Sequence, residues 1–487
     1  MDLVKDQSWT RAKIRSWWIF AVCLLITIHA VILRIDHRPM FFLGDSASYI
    51  WTALSGWLPP DRSFIYGYFI RLIAVESKSL TPLVVSQVLL NCVSSIVMAH
   101  LLISYFRVRP WIAFAMAFLT SLEPLQLLYT RYVMTETLGL AVFVFYVWVG
   151  LHYLANPRIV WLALMNCIAT LLIGVRLAFI PTAWICAVVI PFLAFPAVVA
   201  KPRSVDMKVI NRLALHAVMS IFLLFAFTTA YKHFHGHLQH KPPSYSYHSG
   251  FFAMSFVFPI LEAGDFPDET LGDAVLADLQ FPLTDRRSRA PNHWMEGGVV
   301  ARLQKMELDP LKADAIAGRT AFHAVMNKPV AFLHLGWKTL TDYFDQSYLQ
   351  SCMKTDLGDI RLDVEFQKLL TTHFGYPSDG SSAFDLQAPT GQYFLHSIHW
   401  FQILLFLPIS WGLLLLLAFK KGAQRREVLL LGLISFISVS AVIFLVERPT
   451  PRYLHTAAWL FFLMAGVGLN CLVCFLRTQE RLNRAKR

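Results

Sequence analysis

Charge is scarce in this sequence. Only 15% of its 487 residues are Asp, Glu, Lys or Arg, against roughly a quarter in soluble domains. That scarcity excludes an ordinary soluble enzyme of this length, in which charge interrupts the apolar pattern every few residues. Cysteine is also scarce and is placed wrongly for a disulfide scaffold. Of seven cysteines, Cys23, Cys92, Cys167, Cys186, Cys471 and Cys474 fall in apolar runs. Cys352 alone lies in a long polar stretch, so no intrachain disulfide framework is expected there. Cys471 and Cys474 form a CxxC inside an apolar run without partner ligands, which argues against a metal or redox site. P-loop, GxGxxG, HExxH and GxSxG motifs are lacking in any workable context. Internal repeats and low-complexity tracts are lacking too.

What the sequence has instead is apolar length. Apolar residues make up 56% of the chain, in runs that recur at the roughly 20 residues needed to cross a bilayer. Ten spans are expected, near 17–35, 82–106, 110–129, 133–154, 159–175, 177–199, 214–231, 396–419, 427–446 and 453–476. The first follows Lys5, Arg11, Lys13 and Arg15 and could mimic a signal peptide. It is too long for a signal core and has no small-residue cleavage site before Arg34–Arg38, so it reads as an uncleaved span. The fold class expected is an all-α polytopic membrane protein.

The formal charge of +12 would suit nucleic acid in a soluble protein. Here the basic residues crowd into short loops beside the spans. Arg107/Arg109, Arg158, Lys201/Arg203/Lys208/Arg212, Lys420/Lys421/Arg425/Arg426 and both tails fall on one side. That pattern marks the cytoplasmic side, with both termini there, and argues against nucleic acid as a partner. The opposite side receives 36–81, the turns at Thr130–Tyr132 and Arg176, the long region 232–395 and the turn Glu447–Arg452. The chain thus divides into an N-terminal transmembrane catalytic module (1–231), an extracytoplasmic loop domain (232–395), and C-terminal transmembrane helices with a basic cytoplasmic tail (396–487). In the first outer segment, 44–57 and 62–74 read as two aromatic-rich interfacial helices around Pro59-Pro60-Asp61. In the long region, Leu311 to Tyr348 reads as amphipathic helix broken at Asn327-Lys328-Pro329.

Ionisable residues at span edges are costly and so point to function. Asp45, Glu123, Arg131, Glu136, Arg176, Glu447, Arg448 and Arg452 all map to the outer edge. Arginine forks grip phosphate oxygens, and a carboxylate can accept a proton from an attacking hydroxyl. A phosphate-bearing lipid substrate fits both chemistries. Each residue also has a structural reading. Asp45 is a good N-cap, Glu136 a first-turn acid favoured by the helix dipole, and the arginines snorkelling anchors. Glu123 is a candidate second carboxylate or the partner of a basic residue. The histidines of Lys232–His240 alternate as strand ligands would. No Cys or carboxylate accompanies them, which favours a solvated linker.

These residues resemble, in order, those of the GT-C superfamily of polytopic glycosyltransferases. That superfamily includes the protein O-mannosyltransferases and the bacterial enzymes that use polyprenyl-phosphate sugars. The matching features are Gly44-Asp45-Ser46 with Tyr49, Arg131 to Leu138 with Glu136, Arg176-Leu177-Ala178-Phe179-Ile180-Pro181, and Arg452-Tyr453. They cover 17–231 and, less clearly, 396–476. The resemblance implies that Asp45 is the base, that Glu136 places the acceptor or a metal, and that Arg176, Arg448 and Arg452 neutralise the departing phosphate. Tyr49, Tyr453, Glu123 and Arg131 are further candidates. It also implies a polyprenyl-phosphate-linked sugar as donor, a glycan, lipid or protein as acceptor, and a bacterial inner membrane. Asp45 is followed by Ser46 where many members carry a second acid, and Glu136 stands where many carry Asp. The metal site is therefore unknown, and a divalent cation, Mg or Mn, is left open. The Leu311 to Tyr348 segment resembles an outer-domain piece of several bacterial members. Two rival readings need no such base: a lipid or glycan flippase or transporter, and a glycan polymerase or ligase of another membrane lineage.

Overall fold

The computed structural model describes residues 11–42, 45–195, 206–277, 279, 286–288, 294, 297–307, 309–357, 362–377, 388–398 and 425–486. Among them there is no strand, only one parallel bridge between Met40 and Tyr132. The chain opens with α1 (Arg11–Ile35), then the short α2 (Asp45–Ser55) and α3 (Phe64–Ile70), the latter running into a π turn at Arg71–Val75. Ser63 caps α3 by accepting from the Ile65 N–H at 3.1 Å. These two helices sit where the aromatic interfacial pair was expected.

Next come α4 (Thr81–Ser104), α5 (Pro110–Ser121), α6 (Pro124–Tyr129), α7 (Glu136–Ala155), α8 (Ile159–Val175), α9 (Ile180–Ala194) and α10 (Met207–Gln239). Among the described residues, seven helices are long and apolar enough to cross a membrane: those at 15–35, 81–104, 136–155, 177–194, 207–239, 425–444 and 451–484. The chain is thus an all-α protein with the helices of an integral membrane protein. Two of the ten expected spans differ. The expected 110–129 is broken, because Pro124 forces Glu123 out of the helical region (φ −58°, ψ 136°). The helix at 159–175 is short of the membrane-crossing length. The expected 396–419 lies almost wholly outside the described residues.

A further correction concerns the histidine run. It is not a linker, because α10 continues through it and ends only at His240, in the left-handed region at φ +52°. Pro242 and Pro243 then prevent the helix from resuming. The expected boundary at 231/232 therefore falls inside a helix. His235 is buried and its Nδ1 lies 2.9 Å from the Ser244 carbonyl. Among the described residues no cluster of three metal-ligating side chains forms.

The long region is helical as expected. It holds α11 (Ser249–Val257), α12 (Glu269–Leu276), α13 (Val299–Met306), α14 (Pro310–Asn327), α15 (Pro329–Asp342), α16 (Gln346–Leu357), α17 (Val364–Phe374) and α18 (Pro389–Ser397). Asp309 caps α14, with Pro310 at its first position. This region is not one detached body. Helices α11 to α14 share a core of Phe251, Met254, Val275, Leu303 and Ala317. In contrast, α17 packs Phe366 edge-on against Phe41 beside α2 and α3. The chain closes with α19 (Arg425–Phe444) and α20 (Pro451–Lys486). Helix α20 packs on α5 and α7, burying Trp459 against Phe143. Described basic residues beside the spans meet at one end, where Arg212 donates to the Pro157 carbonyl at 2.8 Å and Arg109 lies against Asn470 and Cys474.

Candidate functional site

At the opposite end, four separate breaks in the helical pattern converge. Asp45 opens α2, Glu136 opens α7, Arg176 ends α8, and Arg452 stands in the first turn of α20. Arg452 joins the two acids. Its Nε donates to Glu136 Oε1 and a terminal nitrogen donates to Asp45 Oδ2, both at 2.7 Å. Arg176 lies 3.5 Å from the same Glu136 oxygen. Arg62 donates to the other Asp45 oxygen at 2.7 Å and is 3.1 Å from Asp61. The Arg452 guanidinium also covers the Phe42 ring, and that of Arg62 covers the Tyr49 ring.

Burial explains why these groups pair. Glu136 has no exposed surface, and a buried charge without a partner is strongly destabilising. Burial alone would push the Asp45 carboxyl up. The guanidiniums of Arg62 and Arg452 outweigh it and hold the group at about 2. Burial likewise works against the charge on Arg62, yet Asp45, Tyr49 and Asp61 raise its guanidinium further. In this state Asp45 is fully ionised, but both its oxygens are occupied.

All of these side chains except Glu136 line a cavity of about 800 Å³, the size of a pocket for a sizeable small molecule. Three kinds of wall surround it. Asp45, Arg62, Arg176 and Arg452 form a charged floor. Val175, Leu177, Ala178, Ile180 and Pro181, where α8 gives way to α9, form an apolar side. Tyr245, Ser246, Ser249, Phe252 and Trp294 form an aromatic and hydroxyl side. Glu447 and Arg448 come from the turn between α19 and α20, and Tyr453 from the first turn of α20. Among the described residues, four arginines and three carboxylates line it, and Glu136 behind Arg452 brings the carboxylates to four, so the charges balance.

The expected candidates thus divide. Asp45, Tyr49, Arg176, Arg448, Arg452 and Tyr453 line the cavity, and Glu136 lies directly behind Arg452. Two do not join them. Arg131 is fully buried away from the cavity. Its carbonyl accepts from the Met40 N–H at 2.9 Å, and its buried side chain lies within the electrostatic reach of Asp36. Glu123 is buried too, and it caps α6 by accepting from the Gln126 N–H at 3.0 Å. Sequence reading missed Arg62, because Pro59-Pro60-Asp61-Arg62 has the composition of an ordinary solvated turn. The usable signal was a charged pair inside an otherwise aromatic segment.

The donor set does not suit a divalent cation. Both Asp45 oxygens and Glu136 Oε1 already accept from guanidiniums, and three arginines surround the pair. Only Glu136 Oε2, buried and without a hydrogen-bond partner, is left over. Comparisons with protein-family models, with curated proteins and with solved structures give no match for this chain.

Proposed function

We propose that this protein is an inverting membrane glycosyltransferase that moves a sugar from a polyprenyl-phosphate donor to an acceptor hydroxyl. The observation that carries the reading is the pairing of Asp45 with Arg62 and Arg452 on the floor of a cavity with an apolar side. On this reading the cavity opens at the extracytoplasmic face of a bacterial inner membrane, and both termini are cytoplasmic.

The donor's isoprenoid would lie along Val175 to Pro181, and its phosphate would face the arginines. A phosphate competes with a carboxylate for the same guanidinium forks. Its arrival would draw Arg62 and Arg452 from Asp45 and free a carboxylate oxygen. Asp45 would then accept the proton of the acceptor hydroxyl as that oxygen bonds to the anomeric carbon. The bond from carbon to phosphate oxygen would break on the opposite face. The electron pair would leave with the polyprenyl phosphate, its charge held by Arg62, Arg176, Arg448 and Arg452. Preorganised charge of this kind is among the strongest contributions an enzyme site makes. Glu136, behind Arg452, would keep that guanidinium aimed at the floor.

The test is sugar release from a labelled undecaprenyl-phosphate sugar in vesicles holding the wild type or Asp45→Asn. Removing a positioned base costs about 10²–10⁴-fold, and a loss on that scale is expected with thermal stability retained. Full activity in folded Asp45→Asn would remove the base assignment. Lipid movement across the vesicle without any sugar transfer would favour a flippase. Activity that depends only on 232–395 would favour a polymerase or ligase.

A further inference from the structure

Helices α14 and α15 carry an apolar stripe that covers nothing among the described residues. Phe322, Met326, Val330, Leu333 and Trp337 are each between 60% and 77% exposed. They recur every three or four residues, the spacing of one helical face, and the stripe continues across Asn327-Lys328-Pro329. Contiguous exposed apolar surface of this kind marks an interaction site. Comparable exposure occurs on the long apolar helices, at Val218 (66%), Phe225 (60%) and Phe436 (58%).

The other face of each helix is buried. Ala313, Ala317, Ala321 and Ala324 pack in the core shared with α11. Leu335 and Gly336 are buried, and the Phe444 ring lies against Gly336. The Phe332 and Phe444 rings meet at 5.3 Å between centres, tilted by 39°. Phe444 is the last residue of α19, so the buried face of α15 packs on the end of a helix long and apolar enough to cross a membrane. Exposed Lys312 and Arg319 flank it. The two acids of these helices turn away. Asp314 accepts from the Phe251 N–H, and Asp342 pairs with Arg287.

We propose that α14 and α15 lie in the membrane interface, with this stripe entering the lipid of an anionic leaflet. An apolar face with tryptophan and basic flanks is the composition of an interfacial helix, and the basic flanks draw it to anionic headgroups. The docked pair sets the leaflet surface at the end of α19, next to Leu445 and Glu447 of the cavity wall. Lipid headgroups then sit level with the cavity. This holds whatever reaction the cavity performs.

The test places a nitroxide at Val330→Cys, Trp337→Cys, Lys312→Cys or Phe436→Cys in the full chain. Cys23, Cys167, Cys471 and Cys474 are replaced by alanine, and the protein is held in nanodiscs of phosphatidylethanolamine and phosphatidylglycerol. The measured quantity is the ratio of collisions with oxygen to collisions with a water-soluble nickel chelate. At 330 and 337 it is expected to exceed the value at 312 several-fold and to approach that at 436. A ratio equal to that at 312 would put the stripe in water. Shielding from both probes would put it against protein, a second copy or another partner. Either result overturns the proposal. Replacing phosphatidylglycerol by phosphatidylcholine is expected to lower the ratio at 330 and 337, and an unchanged ratio would overturn the anionic-lipid part.

Discussion

Asp45 accepts from Arg62 and from Arg452, and these two guanidiniums govern how it titrates. In the free protein Asp45 stays ionised down to about pH 2. A depressed carboxyl of this kind contributes stability above the ordinary carboxylate range, and that stability is lost as pH falls from about 4 toward 2. On the proposed reading, a bound donor takes the guanidiniums and the Asp45 pKa rises in the complex. Since kcat reports the complex and kcat/KM the free enzyme, kcat is expected to fall with acid across the ordinary carboxylate range while kcat/KM does not. Coincident pH profiles would separate Asp45 from the arginines. Asp45, Glu136, Arg176 and Arg452 were visible in the sequence because charge at a span edge is costly. Their meeting was not visible, because Arg452 lies 407 residues beyond Asp45 and no local pattern encodes that contact. Arg131 misled for a related reason. Its cost is the same, but its side chain is buried away from the cavity, a placement that no local pattern encodes.

Helices in this protein were legible by length more than by ends. Apolar runs locate α4, α7 and α19 within a few residues, because a bilayer demands that length. The break at Glu123 was written in Pro124, yet the surrounding hydropathy masks it. The end of α10 was masked in the opposite sense, since polar histidines read as a linker while the backbone stays helical. The crossing of α11 and α14 was not legible at all. It depends on Gly250, where an added Cβ would collide with the Asp314 carbonyl oxygen and come within 2.8 Å of the Gly318 nitrogen. These are backbone atoms in mid-helix, so relief requires the two helices to part. Gly250→Ala is therefore expected to destabilise the core around Phe251 by about 1–3 kcal/mol. Thermal unfolding and protease susceptibility of the 249–327 region check this, and wild-type behaviour of the variant would contradict the close crossing.

Among the described residues, Arg109 and Arg212 lie at one end of the molecule and the cavity at the other. Both tails are expected on the cytoplasmic side. Fluorescent-protein fusions at either end should therefore fluoresce, and alkaline-phosphatase fusions at either end should stay inactive. Activity of a phosphatase fusion at one end only would require an odd number of spans. The distance along the chain between Asp45 and Arg452 also has a consequence for synthesis. At translation rates of roughly 5–20 residues per second, 407 residues take roughly 20–80 s. Throughout that interval Asp45 has Arg62 as its only partner from the site, and Glu136 has first none and then only the longer contact to Arg176. The nascent chain thus holds an incompletely neutralised acid at the start of α7 until the final helix inserts. Insertion of α20 becomes the step that completes the ionic floor, and a chain interrupted before Pro451 carries that unresolved charge as a mark of incompleteness.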